Sequence, residues 1–449
     1  MSSLLAQTSH DNQAAVPPSD AAPSAPFWVS VQANFITQYH PAFYAPYSGP
    51  NSLSPAGEHA TSRVLTLYTG VRIQPTTELL LDVESAGGAG LGSALGLAGF
   101  TNLDVVRNPT LGSAPYIARA MIHQTIPLSS RFVQAVRGPL GLASSVAERR
   151  LEIHAGKLST VDFFDVNSVG SDSHLQFMNW TLANNGAYDY AADTRGYTYG
   201  VVAEYFDRGW AMRFGEMLMP KVANGLDLEW NLGRARAENA EIEFHPTLIP
   251  GKQSGLRLLG FVNHANMGNY REAIDDYLRL AGPVPDITAH PFQTRLKHGF
   301  GVNAEQELTS QARAFGRFSW NDGKNESYAY TEVDRAFSGG ADLRGARWHR
   351  QQDKAGVAVS VNAISEDHRR YLALGGLGFL LGDGALRYGG EKILEAYYTA
   401  HAWRGLTFAV DVQRVWNPGY NQDRGPLTVI SLRCHVEDSV PFGGRAARN

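Results

Sequence analysis

The sequence predicts an all-β fold, a transmembrane antiparallel up-and-down barrel of about sixteen strands with long loops on one side and short helices in the loops. Three observations predict it. Segments of roughly ten residues alternate apolar and polar side chains, the connections between them alternate long and short, and tryptophans gather at segment ends. In "GLTFAVDVQRVWNPGYNQDRGPLTVISLRCHVE" (405–437), Phe408, Val410 and Val412 alternate with Thr407, Ala409, Asp411 and Gln413. Past the turn, Ile430, Leu432, Cys434 and Val436 alternate with Ser431, Arg433, His435 and Glu437. Successive strand side chains point to opposite faces, so this hairpin is oily on one face and charged on the other.

The pattern recurs along the chain. "ELLLDVES" sets Leu79, Leu81 and Val83 against Glu78, Asp82 and Glu84, and "RRLEIHAG" sets Leu151 and Ile153 against Arg150, Glu152 and His154. Similar segments at 28–39, 61–74, 115–127, 196–206, 210–218, 238–246, 255–264, 294–307, 312–321, 326–337, 355–363, 392–403, 405–415 and 426–436 bring the total to sixteen. Odd-numbered connections are mostly long (40–60, 87–114, 158–195, 219–237, 265–293, 364–391, 415–425), whereas even-numbered ones are mostly brief. "YREAIDDYLRL" places Tyr270, Ala273, Ile274, Tyr277 and Leu278 at helical spacing, so one loop carries a short helix. Trp28, Trp210, Trp320, Trp403 and Trp416 sit at strand ends, where an interfacial aromatic girdle lies. Alternation alone also suits a soluble sandwich. Charged inner positions on many strands and the loop asymmetry favour the barrel.

Composition excludes other classes. With 39 basic and 43 acidic residues, a net charge of -4 and both signs spread along the chain, there is no basic surface for nucleic acid. Cys434, the single cysteine, cannot form an internal disulfide and falls in the apolar register of the last strand, buried or facing lipid. No window holds the ~18 to 20 apolar residues of a membrane helix, but a closed barrel satisfies its backbone without one. Residues 1–26, rich in Pro, Ala and Ser, read as a disordered leader, 27–437 as the barrel domain and 438–449 as a tail. "MSSLLAQ" reads either as the end of a secretory signal or as a cytosolic start.

No catalytic constellation emerges. Glu241 and Glu243 leave one strand on the same face, and "DFFDVNSVGSDSH" lacks the Gly and Glu of a calcium loop. The 14 histidines show no H-x-x-x-H spacing, so no zinc site is expected, and "GGAGLGSALG" lacks the Lys of a phosphate loop. The expectation is a non-enzyme without cofactor or metal. A lumen needs other chemistry, because neutral hydroxylated solutes both donate and accept hydrogen bonds. Register places Arg119, Glu152, Arg213, Arg257, Glu305, Arg317, Glu332, Asp411, Gln413 and Arg433 inward as pore-lining candidates, each of which serves equally as a salt bridge that stiffens the wall. Tyr397, in register with Glu395, Thr399 and His401, is a candidate for stacking on a sugar ring.

Several stretches carry a resemblance. "AGKLSTVDFFDVNSVGSDSHLQFMNWTLANNGAYDYAADTRGYTYG" (155–200), "MLMPKVANG" (217–225), "FGVNAEQEL", "GRFSWNDGKNESYAYTEVDRAFSGG" (316–340) and the segment from "EKILEAYYTAHAW" to "DVQRVWNPGYNQDRGPLTVISLRCHVE" resemble the carbohydrate-selective outer-membrane porins of the OprB family, over residues 27–437. The resemblance implies a sixteen-stranded barrel in the outer membrane of a Gram-negative bacterium. It would pass sugars such as glucose by diffusion, contact outer-membrane lipid, be inserted by the barrel-assembly machinery, and stand as a monomer or a homotrimer. It also implies loops folded inward. The 158–195 loop, with Phe163, Phe164, Asp172, His174 and Trp180, is the constriction candidate, an exposed cap being the alternative. The family pattern ends on an aromatic residue closing the last strand, for which Phe442 is the candidate. A soluble all-β carbohydrate-binding or carbohydrate-active protein would instead need paired acids on facing strands and one apolar core. A plugged barrel serving as an anchor or adhesin would need a lumen of bulky apolar residues.

Overall fold

A computed structural model describes residues 26–440 except 107, 109, 110 and 281. The leader up to residue 25, the tail beyond 440 and Phe442 lie outside the described residues. The strands are β1 (Phe27–His40), β2 (Glu58–Gln74), β3 (Thr77–Gly88), β4 (Tyr116–Pro127), β5 (Phe132–Gln134), β6 (Ser145–Ala147), β7 (Arg150–Leu158), β8 (Thr198–Asp207) and β9 (Trp210–Met217). They continue with β10 (Arg236–Phe244), β11 (Ser254–Asn266), β12 (Thr294–Glu307), β13 (Ala312–Asn321), β14 (Arg335–Arg344), β15 (Lys354–Ala363), β16 (Glu391–Trp403), β17 (Leu406–Trp416) and β18 (Leu427–Val440). All but the small β5–β6 hairpin form one closed antiparallel barrel, sixteen strands among the described residues. Closure comes from β1 pairing with β18, from Val29 opposite Val440 to Tyr39 opposite Ile430.

Alternation sets the two faces. On β17, Phe408, Val410 and Val412 are exposed on the outside while Ala409, Asp411 and Gln413 are buried within; on β18, Leu432 and Val436 face out and Arg433 and His435 face in. Cys434 shares the outward register of β18. Large apolar side chains are exposed in this way on strand after strand, including Val31, Phe35, Leu65, Leu67, Leu79 and Leu81. In water such a belt would be an aggregation hazard, whereas in a bilayer it is the matching surface. This overturns the soluble alternative.

Eight connections lie on one rim, most of them long. Numbered L1 to L8, they are 41–57, 89–115, 159–197, 218–235, 267–293, 322–334, 364–390 and 417–426. The opposite rim has tight turns such as 75–76, 208–209 and 404–405. Among the described residues three α-helices sit in the loops: α1 (Trp180–Ala183) in L3, α2 (Tyr270–Leu280) in L5 and α3 (Glu366–Ala373) in L7. The expected helix in "YREAIDDYLRL" is α2.

Three expectations need correction. The alternation at 326–337 is not a strand: β14 begins at Arg335, and Tyr328, Ala329 and Tyr330 are all buried in L6, packed from both sides. Glu332 is therefore a loop residue. Trp28 has the inward register of Ser30 and Gln32 and packs on Tyr68, with ring centroids 6.1 Å apart, so it does not belong to an outer girdle. The connection 128–149, on the short-turn rim, is not brief. It carries the β5–β6 hairpin, and Leu142 enters the barrel mouth with its N–H donated to Glu78 at 2.8 Å.

Candidate pore and constriction

Facing charges on neighbouring strands make the wall. Arg213 of β9 reaches Glu204 of β8 at 2.6 Å, and Glu241 and Glu243 of β10 at 2.8 and 2.5 Å. Arg257 of β11 bridges Glu243 at 2.6 Å and Glu305 of β12 at 2.8 Å, and Arg150 of β7 holds Glu152 at 2.5 Å. Signs alternate around this arc, so the wall offers donors and acceptors side by side without a large field of one sign. Glu241 and Glu243 are the charged face that their spacing indicated, each held by an arginine.

The arc borders a cavity of about 740 Å³ on the short-turn side, a vestibule shared with the 128–149 connection. Glu152, Arg213, Arg257 and Glu305 line it, as does Phe163 at its inner end. Arg150, His154, Glu204 and Arg313 line it too. The sequence pointed to the strands of these four but not to their shared exposure to one chamber.

L3 forms the floor of that chamber. Its "DFFDVN" segment folds on itself because Asp165 takes a left-handed backbone (φ 62°) and accepts the N–H of Asn185 at 2.6 Å, while the Asn167 side chain accepts Val169 and Gly170 N–H at 2.8 and 3.1 Å. Asn179 caps α1 through its side-chain oxygen and the Thr181 N–H. The loop then binds the wall from many directions. Asp165 donates its N–H to Glu241 at 2.8 Å, Ser168 donates to Glu305 at 2.8 Å, and Met178 and Asn179 donate to Glu395 at 2.5 and 3.0 Å. Contacts with β10, β12 and β16 place L3 inside the barrel, and the exposed-cap alternative is overturned.

The other wall candidates lie under L3. Arg119 is held between Asp82 and Asp162 at 2.9 and 2.7 Å. Arg317 reaches Asp165 at 3.3 Å and the Leu182 carbonyl at 2.7 Å, and Arg433 donates to the carbonyls of Ser173 and Gln176 at 2.6 and 3.0 Å. Gln413 accepts the Asn179 amide at 3.1 Å and donates to Asp411 at 3.3 Å. Arg119, Arg317, Gln413 and Arg433 fasten the loop directly and Asp411 braces Gln413; none of the five borders the vestibule. Glu332, from L6, accepts the N–H groups of Leu380 and Leu381 at 3.0 and 2.7 Å and so ties L6 to L7.

Of the constriction candidates, Phe164 and Trp180 are buried on the far side, Trp180 stacked on Tyr330 at 4.3 Å and edge-on to Phe100 at 5.5 Å. Asp172 turns the loop by accepting the N–H of His174 at 3.0 Å. His174 meets Asp104 of L2 at 3.3 Å. Burial works against both charges, but their mutual attraction outweighs it, holding the Asp104 carboxyl below and the His174 imidazole above its ordinary range. Tyr397 points inward yet is covered by Phe177, centroids 4.9 Å apart. On the long-loop side, L2, L3, L5, L6 and L7 pack an aromatic core in which Tyr270 of α2 stacks on His368 of α3 at 4.2 Å. The wall is largely polar, and the apolar filling comes mostly from loops, joined by inward wall residues such as Leu80, Met121, Leu259 and Phe261.

The family described as carbohydrate-selective porin, OprB family, matches residues 51–437. A high-pH structure of OprB from Pseudomonas putida shares 15% identity over 92% of this chain and 94% of that one, with a TM-score of 0.68, and so shows the same fold. A low-pH structure of the same protein (12% identity, 92% and 93% covered) gives 0.48. The outer-membrane channel DcaP of Acinetobacter baumannii (11% identity, 92% and 96% covered) gives 0.47. No curated protein sequence matches the chain.

Proposed function

Since the chain belongs to the OprB family of carbohydrate-selective porins, β-barrel channels of the outer membrane and not enzymes, we propose that it conducts small neutral sugars such as glucose down their gradient, through the charged vestibule and past the edge of L3. The observation that carries this reading is the vestibule itself: a chamber of about 740 Å³ bounded by paired Arg and Glu side chains and by Phe163. Its volume falls in the range of roughly 300–1,000 Å³ typical of small-molecule sites. Paired charges hold both donors and acceptors at fixed spacing, which suits vicinal hydroxyls, and their near neutrality gives little reason to retain an ion. Glu152, Arg213, Arg257 and Glu305 are the proposed sugar-facing residues, and Arg119, Arg317, Asp411, Gln413 and Arg433 the proposed anchors of the constriction. Residues 27–437 act as the porin domain between a leader and a tail, and insertion by the barrel-assembly machinery belongs to the same reading.

Single channels in planar bilayers test it. Glucose added to the short-turn side should interrupt the ion current in brief blocks, and the Arg213→Ala, Arg257→Ala double variant should shorten them. Channels that pass ions but show no sugar-dependent blocks would overturn the route.

A further inference from the structure

The charge balance of the β7–β12 arc does not continue round the barrel. Arg344 of β14 and Lys354 of β15 are direct cross-strand partners. Both are on the inner face, Arg344 in step with buried Asp342 and Lys354 in step with buried Ala358. Like charges directly opposite each other on one face of a sheet repel, so the empty wall is destabilised by them. Neither the Arg344 guanidinium nor the Lys354 ammonium makes a hydrogen bond or an ion pair among the described residues.

The nearby carboxylates are engaged elsewhere. Arg313 of β13 holds both oxygens of Asp342, Nε donating to Oδ1 at 3.0 Å and Nη2 to Oδ2. Asp172 of L3 acts on Lys354 without an ion pair and accepts the N–H groups of His174 and Leu175 at 3.0 and 3.2 Å. Glu305 takes Arg257 and the Ser168 N–H, each at 2.8 Å. A hydroxyl is a second sign of a missing partner. Tyr397 Oη of β16 lies 3.0 Å from where a Cβ of Gly356 would stand, and Gly356 is opposite Asp342. Tyr397 is 4% exposed and its hydroxyl has no hydrogen-bond partner. A buried donor left over in this way marks a place for an oxygen that the chain does not supply. Arg313 and Arg344 both line the vestibule, as does Ser168, whose Oγ accepts Arg313 Nη1 at 3.3 Å.

We propose that Arg313, Arg344 and Lys354 form a binding site for the anionic group of an acidic sugar, a carboxylate or a phosphate ester. The fork of Arg344 fits two oxygens of such a group, and the Lys354 ammonium opposite supplies a point charge. An anion between the two cations also relieves their repulsion, so the strain of the empty wall favours occupation. Ser168 and Gln311 border the same chamber and offer hydrogen bonds to the sugar hydroxyls. The site rests on the vestibule as the solute route and extends that route from neutral sugars to their acids.

Single channels of the full chain in planar bilayers test it, with glucose, glucuronate and glucose 6-phosphate added in turn to the short-turn side. At least one of the two acids should block the current at about a tenth of the glucose concentration. That advantage should shrink at high salt, and the Arg344→Gln, Lys354→Gln double variant should abolish it. The double variant should also melt no lower than wild type, because it removes a like-charge contact. Should the barrel carry no current, calorimetric titration of the folded, detergent-held chain with the same three solutes decides instead. Binding of an acid without binding of glucose would sustain the site and overturn the neutral-sugar route. Neither acid binding better than glucose, or an undiminished advantage in the double variant, would overturn the site. A double variant that melts lower or does not fold would overturn it too, by showing that the two cations hold the wall together.

Discussion

The carboxylate of Glu395, on the inner face of β16, accepts the backbone N–H of Asn179 in L3 at 3.0 Å. The same carboxylate takes the Met178 N–H at 2.5 Å, so one buried side chain holds two consecutive peptide groups of a loop that begins on β7, across the barrel. Glu395→Ala leaves both N–H groups without their acceptor, a cost of about 1–3 kcal/mol for each buried orphan. The expected outcome is a barrel that still shifts on an unboiled gel but conducts more in bilayers and discriminates less between glucose and a larger disaccharide. Unchanged conductance would show that L3 is held in place by its other contacts.

Arg213 faces three carboxylates, and its removal leaves Glu204, Glu241 and Glu243 with less positive charge among them. Arg213→Ala should raise cation over anion permeability by about twofold or more, only about 0.4 kcal/mol in free energy. Reversal potentials in a potassium chloride gradient check this, and the shift should shrink at high salt as screening grows.

The Asp104–His174 pair, 3.3 Å apart, fastens L2 to L3. Asp104 sits below its ordinary range, so its contribution is present above about pH 4 and is lost as pH falls through its depressed value. His174 sits above its ordinary range, so its contribution is complete below about pH 6.5 and is lost as pH rises through its elevated value. Both hold together between about pH 4 and 6.5. His174→Gln should therefore lower the thermal midpoint most in that window and least at alkaline pH. A pH-independent difference would mean that the pair is not ionised.

Gly378 lets Glu332 reach the L7 backbone, since a Cβ there would come within 1.9 Å of Glu332 Oε1. Gly378→Ala should push the carboxylate away from the Leu380 and Leu381 N–H groups and cost about 1–3 kcal/mol. Amide exchange should rise in L6 and L7 while the barrel strands stay protected.

What the sequence disclosed follows from period and polarity. Lipid and lumen demand opposite faces, so the two-residue alternation of Phe408–Val412 and its equivalents marked the strands, and even the inward register of Arg213, Arg257 and Asp411 was readable. The 326–337 segment misled because a loop packed on both sides can alternate by chance; Tyr328, Ala329 and Tyr330 carry no sign of which neighbours will cover them. Register also cannot tell a side chain that borders open space from one that lies under a loop. Arg317 and Arg257 look alike in sequence, and only the path of L3 separates an anchor from a vestibule wall.

Liposome swelling with purified, refolded protein tests the central claim most directly, comparing glucose, a disaccharide and an amino acid of similar size to glucose. A carbohydrate-biased channel should swell vesicles faster with glucose than with the amino acid. Absence of swelling with every solute, from protein shown to be folded and inserted, would contradict it and leave a barrel closed by its own loops.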